Sequence, residues 1–223
     1  EEVMLLDYTF LSTVPEATLR VPSFSSWLED QDQGPAYRYL RRLLKLLAWK
    51  QEGRRFVLKT PHHLEWFDTL LEVFPDAKIV QTHRDPLQTT ASFCSMVTHG
   101  RGVFSDQVDP LEVGRDWTNK VVRMITRATE ARERHDASHF LDVSYYDLMR
   151  DPLVQMERIY AFAGQPFDAS TRAGIEASHE SSPQHRYGKH VYKLESFGLE
   201  AEALNARFAT YRERFQIPRE DRR

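Results

Sequence analysis

Two short clusters carry residue types that could do chemistry. Lys59-Thr60-Pro61-His62-His63 stands where a short apolar run gives way to a helix. A lysine there can offset negative charge on a transferring group, and a histidine can act as general base near neutral pH. The helix start just downstream adds positive potential for an anion. The same residues would equally suit a surface turn with an exposed lysine and two ordinary histidines. The second cluster is His83-Arg84-Asp85-Pro86, with Ser92 eight residues beyond Arg84. A guanidinium fork and a hydroxyl could together hold a phosphate. Alternatively, Arg84 pairs with Asp85 or another surface carboxylate.

Other chemistries fit less well. His-Arg-Asp opens the protein-kinase catalytic loop, but that loop needs Asn five residues after the Asp, where Thr90 stands. No Asp-Phe-Gly follows, only Ser196-Phe197-Gly198, and no Gly-rich loop precedes Phe56-Val57-Leu58-Lys59. His62, His63, His83 and His99 lack metal-ligand spacing on a helix. There is no Gly-x-Ser-x-Gly elbow. Cys94, between Phe93 and Met96, reads as a buried small apolar residue.

The elements that must position these clusters are legible from period and punctuation. Leu40, Leu43, Leu44 and Leu47 form a helical stripe after Gly34-Pro35, and Arg38, Arg41, Arg42 and Lys45 repeat the spacing on a solvated face. Phe56-Val57-Leu58 reads as a buried strand, followed by a helix over 64–74 that Pro75 stops. Lys78–Thr82 reads as a second strand, and Asp85-Pro86 as the capped start of a helix over 86–98. The stretch 99–110 reads as a loop that could gate an acceptor. A long amphipathic helix is expected over 110–134, then a strand at 140–143 and a capped helix from Asp151-Pro152 to Gly164. Such strand–helix alternation predicts α/β architecture with a parallel sheet flanked by helices, and ligands outside the carboxyl ends of the strands. Lys59, Arg84 and Tyr145 all fall at or just beyond predicted strand ends.

Composition bounds the rest. The 223 residues are 41% hydrophobic and 28% charged, with a net charge of −3 and one cysteine. A chain this long can bury about 70% of its unfolded surface without disulfides or structural metal. The charge argues against a dedicated nucleic-acid binder. No apolar run approaches the roughly 18 residues of a membrane span, and no signal peptide opens the chain, so a cytoplasmic location is expected. Arg outnumbers Lys 23 to 7, which suits phosphate recognition but can also reflect genome composition. No linker or repeat divides the chain, so a single domain over 1–223 is expected. Phe24, Trp27, Trp66 and Phe104 could line an acceptor pocket or simply be core. These features are compatible with a homo-oligomer.

Several motifs, in order, resemble those of the PAPS-dependent sulfotransferases, particularly their bacterial branch. They are Phe56–Leu64, Phe74–Val80, Thr82–Pro86 through Ser92, Asp142–Leu148 and Arg186-Tyr187-Gly188. PAPS is 3′-phosphoadenosine-5′-phosphosulfate. The resemblance implies a P-loop-NTPase-like sheet, transfer of the sulfuryl group from PAPS to a hydroxyl of a small-molecule, lipid or glycan acceptor, PAP as product, and no metal. It implies that Arg84 and Ser92 hold the 3′-phosphate and that Tyr145 contacts the nucleotide, with Tyr146 as a shifted match. Arg186 and Gly188 would close on the same phosphate, although Tyr187 replaces the family's Lys. Lys59 would meet the sulfuryl end, and the catalytic base would be His63, or His62 if Pro61 aligns differently. Glu1 and Glu2 resemble an acidic pair and receive no role. The family's first strand and phosphosulfate-binding loop should precede Glu1, so the chain is expected to be N-terminally incomplete. The alternatives are a P-loop-type nucleotide or small-molecule kinase, and a non-catalytic nucleotide-binding relative.

Overall fold

The computed structural model describes residues 2–51, 53, 55–181 and 193–220. Two parallel strands, β1 (Ile79–His83) and β2 (Phe140–Ser144), pair in register from Ile79 opposite Phe140 to His83 opposite Ser144. A parallel pair needs a long crossover, here supplied by two helices. Four helices precede the first site cluster: α1 (Val3–Asp7), α2 (Val14–Thr18), α3 (Pro22–Glu29) and α4 (Gly34–Leu47). Helix α5 (Phe67–Val73) leads into β1, and α6 (Pro86–Gly102) and α7 (Pro110–Arg134) form the crossover. After β2 come α8 (Tyr145–Arg150), α9 (Pro152–Phe162), α10 (Ala169–Ser181), α11 (Ala201–Arg207) and α12 (Ala209–Phe215). The fold is α/β, a parallel sheet flanked by helices.

Local chemistry explains the helix starts. The Asp85 carboxylate accepts the Leu87 N–H at 2.9 Å, Asp109 the Leu111 N–H at 2.9 Å and Asp151 the Val154 N–H at 3.2 Å. A proline follows each of these caps, where its missing N–H is harmless. Helix α9 gives way at Gly164, whose φ of +64° is a conformation glycine adopts at no steric cost. Gly114 of α7 is needed for a different reason. A Cβ there would stand 2.1 Å from the Phe197 carbonyl oxygen, so the chain can cross the helix only at a glycine.

Three apolar clusters hold the layers. Tyr37, Leu40 and Leu44 of α4 pack with Phe67, Leu70 and Leu71 of α5, Ala128 of α7 and Phe140 of β2. Cys94 and Val97 of α6 pack with Val113, Trp117 and Phe197, and Leu87 packs with Leu204 and Phe208.

Four sequence expectations need correction. Phe56-Val57-Leu58 is not a buried strand: it runs without a sheet partner, and Val57 is 92% exposed. A strand needs neighbours for its N–H and C=O groups, and among the described residues only β1 and β2 pair. The α4 stripe is rotated. Ala36, Tyr37, Leu40 and Leu44 are buried while Leu47 is exposed, because leucines at 40, 43, 44, 46 and 47 fit more than one helical face. The helix expected over 64–74 splits at Trp66 into a 3₁₀ turn, Pro61–Glu65, and α5. Helix α6 runs to Gly102, so the loop after it is only residues 103–109.

Candidate active site

The 3₁₀ turn that carries both histidines is started by Thr60, whose hydroxyl accepts the His62 N–H at 3.3 Å. Its geometry separates the two rings. His62 is fully buried, and neither ring nitrogen has a hydrogen-bond partner. Burial, with His63 and Lys120 nearby, pushes its pKa down to about 3. The His63 side chain keeps 14% of its surface exposed.

Both His63 nitrogens are engaged. Its Nε2 lies 3.0 Å from the Glu2 carboxylate, and its Nδ1 lies 2.7 Å from the Tyr37 hydroxyl on α4. The second Glu2 oxygen accepts the Lys59 backbone N–H at 2.9 Å. Burial raises the Glu2 pKa, but hydrogen bonds from His63 and from backbone amides outweigh it and leave the carboxyl below its usual range. An ionised Glu2 can only accept, so it fixes the proton on Nε2 and leaves Nδ1 as the acceptor of the Tyr37 O–H. Tyr37 is fully buried, and its hydroxyl is held protonated well above the ordinary range, mainly by burial. Glu2 is the residue that the sequence did not disclose. Sixty-one positions separate it from His63, and only an acidic pair near the start of the chain marked it.

The second group forms at the carboxyl ends of the paired strands. Arg84 follows β1, Tyr145 follows β2, and the Arg84 guanidinium lies 4.4 Å over the Tyr145 ring. The Tyr146 hydroxyl instead accepts the Asp85 backbone N–H at 3.1 Å and donates to Glu220 at 3.1 Å. Burial first, then the carboxylates nearby, push its pKa up to about 12. Ser92 is half-buried on α6, which starts next to Arg84. Arg186 and Gly188 lie outside the described residues. Among the described residues no hydrogen bond joins the His63 group to the Arg84 group.

The aromatic candidates are dispersed. Phe24 and Trp27 meet at a tilt with centroids 5.6 Å apart on α3, Trp66 lies under Arg127, and Phe104 is exposed after α6. Trp66 lines a cleft of about 550 Å³ whose walls include Glu29, Asp30, Asp32, Glu65, Asp68 and Glu130, with only Arg127 and Arg134 against them. Six carboxylates make that cleft a poor seat for an anionic donor, and it contains none of Lys59, His63, Arg84, Ser92 or Tyr145.

The carboxyl edge of the α/β sheet thus carries Arg84 and Tyr145, the place where ligands of such sheets bind, and the carboxylate-held histidine lies on a separate turn. Residues 1–169 match the model of the sulfotransferase family, and the chain belongs to that family. It is 27% identical over 153 residues to the omega-hydroxy-beta-dihydromenaquinone-9 sulfotransferases Stf3 of Mycobacterium bovis and Mycobacterium tuberculosis. That match covers 65% of this chain and 39% of each relative. The solved sulfotransferase STF9 from Mycobacterium avium superposes with a TM-score of 0.90 at 31% identity, over 99% of this chain and 57% of that one. Sulfotransferase STF1 from Mycobacterium tuberculosis gives 0.82 at 34%, over 94% and 55%. The chain thus spans about two-fifths of the length of these curated relatives and just over half of the solved ones. Among the described residues no helix is long and apolar enough to cross a membrane.

Proposed function

We propose that the protein transfers the sulfuryl group of PAPS to a hydroxyl of a small-molecule, lipid or glycan acceptor. The observation that carries this reading is His63, held between Glu2 and Tyr37 beside Lys59, on a chain whose strand ends present Arg84 and Tyr145 separately. Sulfuryl transfer is an in-line displacement in which positioning and charge stabilisation dominate, as in phosphoryl transfer. In this reading Arg84, Ser92 and Tyr145 anchor the nucleotide, with Arg186 and Gly188 completing the phosphate contacts. Arg84 fits that role: it has five N–H donors, of which a neighbouring carboxylate takes two.

At the reacting end, His63 takes the proton of the acceptor hydroxyl. The acceptor oxygen then bonds to sulfur, the sulfur–oxygen bond to PAP breaks, and its electron pair stays on the leaving phosphate oxygen. Glu2 stabilises the imidazolium that results, and Lys59 offsets charge on the leaving group. Because the matched relatives act on an omega-hydroxylated menaquinone, a terminal hydroxyl on an isoprenoid lipid is the first acceptor to try. A cytoplasmic location belongs to the same reading.

The test is turnover of PAPS with a panel of hydroxylated acceptors, led by an omega-hydroxy isoprenoid, in the wild type and in His63→Ala. Loss of about a hundredfold or more is expected for a general base. Unchanged turnover would remove His63 from the chemistry. Binding of PAP with no turnover on any acceptor would support the non-catalytic alternative.

A further inference from the structure

Arg84 does not project freely into solvent. Its Nε donates to Glu220 Oε1 at 2.7 Å and its Nη2 to Oε2 at 3.1 Å, while Tyr145 covers one face of the guanidinium. Glu220 is anchored on its own account. Its backbone N–H donates to Asp85 Oδ2 at 2.7 Å, and Tyr146 donates to its Oε1 at 3.1 Å. The residues before it are fastened too: Ile217 is buried, and Arg212 donates to the Pro218 carbonyl at 3.1 Å while pairing with Asp85.

Nothing in the proposed chemistry calls for a carboxylate beside an arginine that must receive a phosphate, since the two anions repel. What the carboxylate supplies is aim. Gripped along one edge and covered on one face, the guanidinium can offer an incoming anion only its remaining edge, with three N–H donors. An arginine released from that grip would sample many rotamers and lose that freedom on binding.

We propose that Glu220 is a positioning residue that aims Arg84 and so sets the preference for a nucleotide bearing a 3′-phosphate over one lacking it. This rests on the assignment of Arg84 to that phosphate. The independent anchors of Glu220 distinguish it from a tail that swings aside, because they hold the carboxylate in place whether or not Arg84 turns to a ligand.

The experiment compares calorimetric binding of adenosine 3′,5′-bisphosphate and adenosine 5′-monophosphate to the wild type, Glu220→Ala, Glu220→Gln and Arg84→Ala, with a melting curve for each. In Glu220→Ala the bisphosphate should weaken about tenfold, the effect of one misaligned charge-assisted pair, while the monophosphate stays within about twofold. Glu220→Gln keeps an oxygen that can accept from Nε and should recover part of the loss. Equal weakening of both nucleotides would mean a merely structural role and overturn the proposal. Tighter bisphosphate binding in Glu220→Ala would overturn it in favour of a competing carboxylate. If Arg84→Ala leaves the ratio of the two affinities unchanged, the assignment of Arg84 fails, and the proposal fails with it for that separate reason.

Discussion

A histidine with both nitrogens engaged is poised but not idle. In His63 the Glu2 carboxylate settles which nitrogen carries the proton, and the Tyr37 hydroxyl holds the other. Replacing Glu2 by Gln keeps the shape but removes the charge that stabilises a protonated ring. Turnover should fall about tenfold, less than in His63→Ala, with KM for the donor unchanged, because Glu2 touches the ring and not the donor. Steady-state kinetics on both variants would check this; a change in KM alone would place Glu2 in donor binding. The resemblance puts the base at His63 with His62 as the alternative, but spacing alone could not separate them, since adjacent residues share all local context. The 3₁₀ turn does separate the rings: His62 is sent inward and His63 stays partly exposed.

Asp85 shows how one element boundary can serve several parts of the molecule. Its Oδ1 caps α6 through the Leu87 N–H and also accepts from Arg212 of α12, and its Oδ2 receives the Glu220 backbone N–H. Both side chains of the Asp85–Arg212 pair are nearly buried, so removing the carboxylate strands a cation. Asp85→Ala should destabilise the protein by about 3 kcal/mol or more, the sum of a lost cap and an uncompensated buried charge, as read from urea unfolding. The helix starts at 86 and 152 were legible because an Asp-Pro pair writes its cap into two adjacent residues, and the one at 110 from its amphipathic period. The other contacts of Asp85 were not, since Arg212 and Glu220 lie 127 and 135 positions away. The failed strand at 56–58 is the converse case. Its composition describes a buried environment, but whether such a segment is covered depends on neighbouring strands, which its own residues do not specify.

For the molecule as a whole, acid should be the revealing stress. Asp142 of β2 joins His83 of β1, Arg132 of α7 and, through His83, Tyr211 of α12. Burial raises its pKa, but hydrogen bonds from His83 and Arg132 outweigh that and hold the carboxyl well below its usual range. A carboxyl depressed on folding contributes stability that is complete above the unfolded value of about 3.9 and is lost as pH falls through the folded value below it. The melting temperature should therefore drop steeply below about pH 4. Asp142→Asn should melt lower at neutral pH but decline less steeply through that acid window, and an unchanged slope would shift the linkage to other carboxyls.

The buried thiol in the α6–α7 cluster has a practical corollary. Cys94 is the sole cysteine, it has no exposed surface, and burial pushes its pKa up to about 12. The thiolate, not the thiol, reacts with alkylating reagents, so labelling of the folded chain should be very slow. Labelling can proceed only through molecules in which the packing around Trp117 and Val97 has opened. The protein thus carries its own stopwatch for opening of that layer, one that runs without any added probe in the structure.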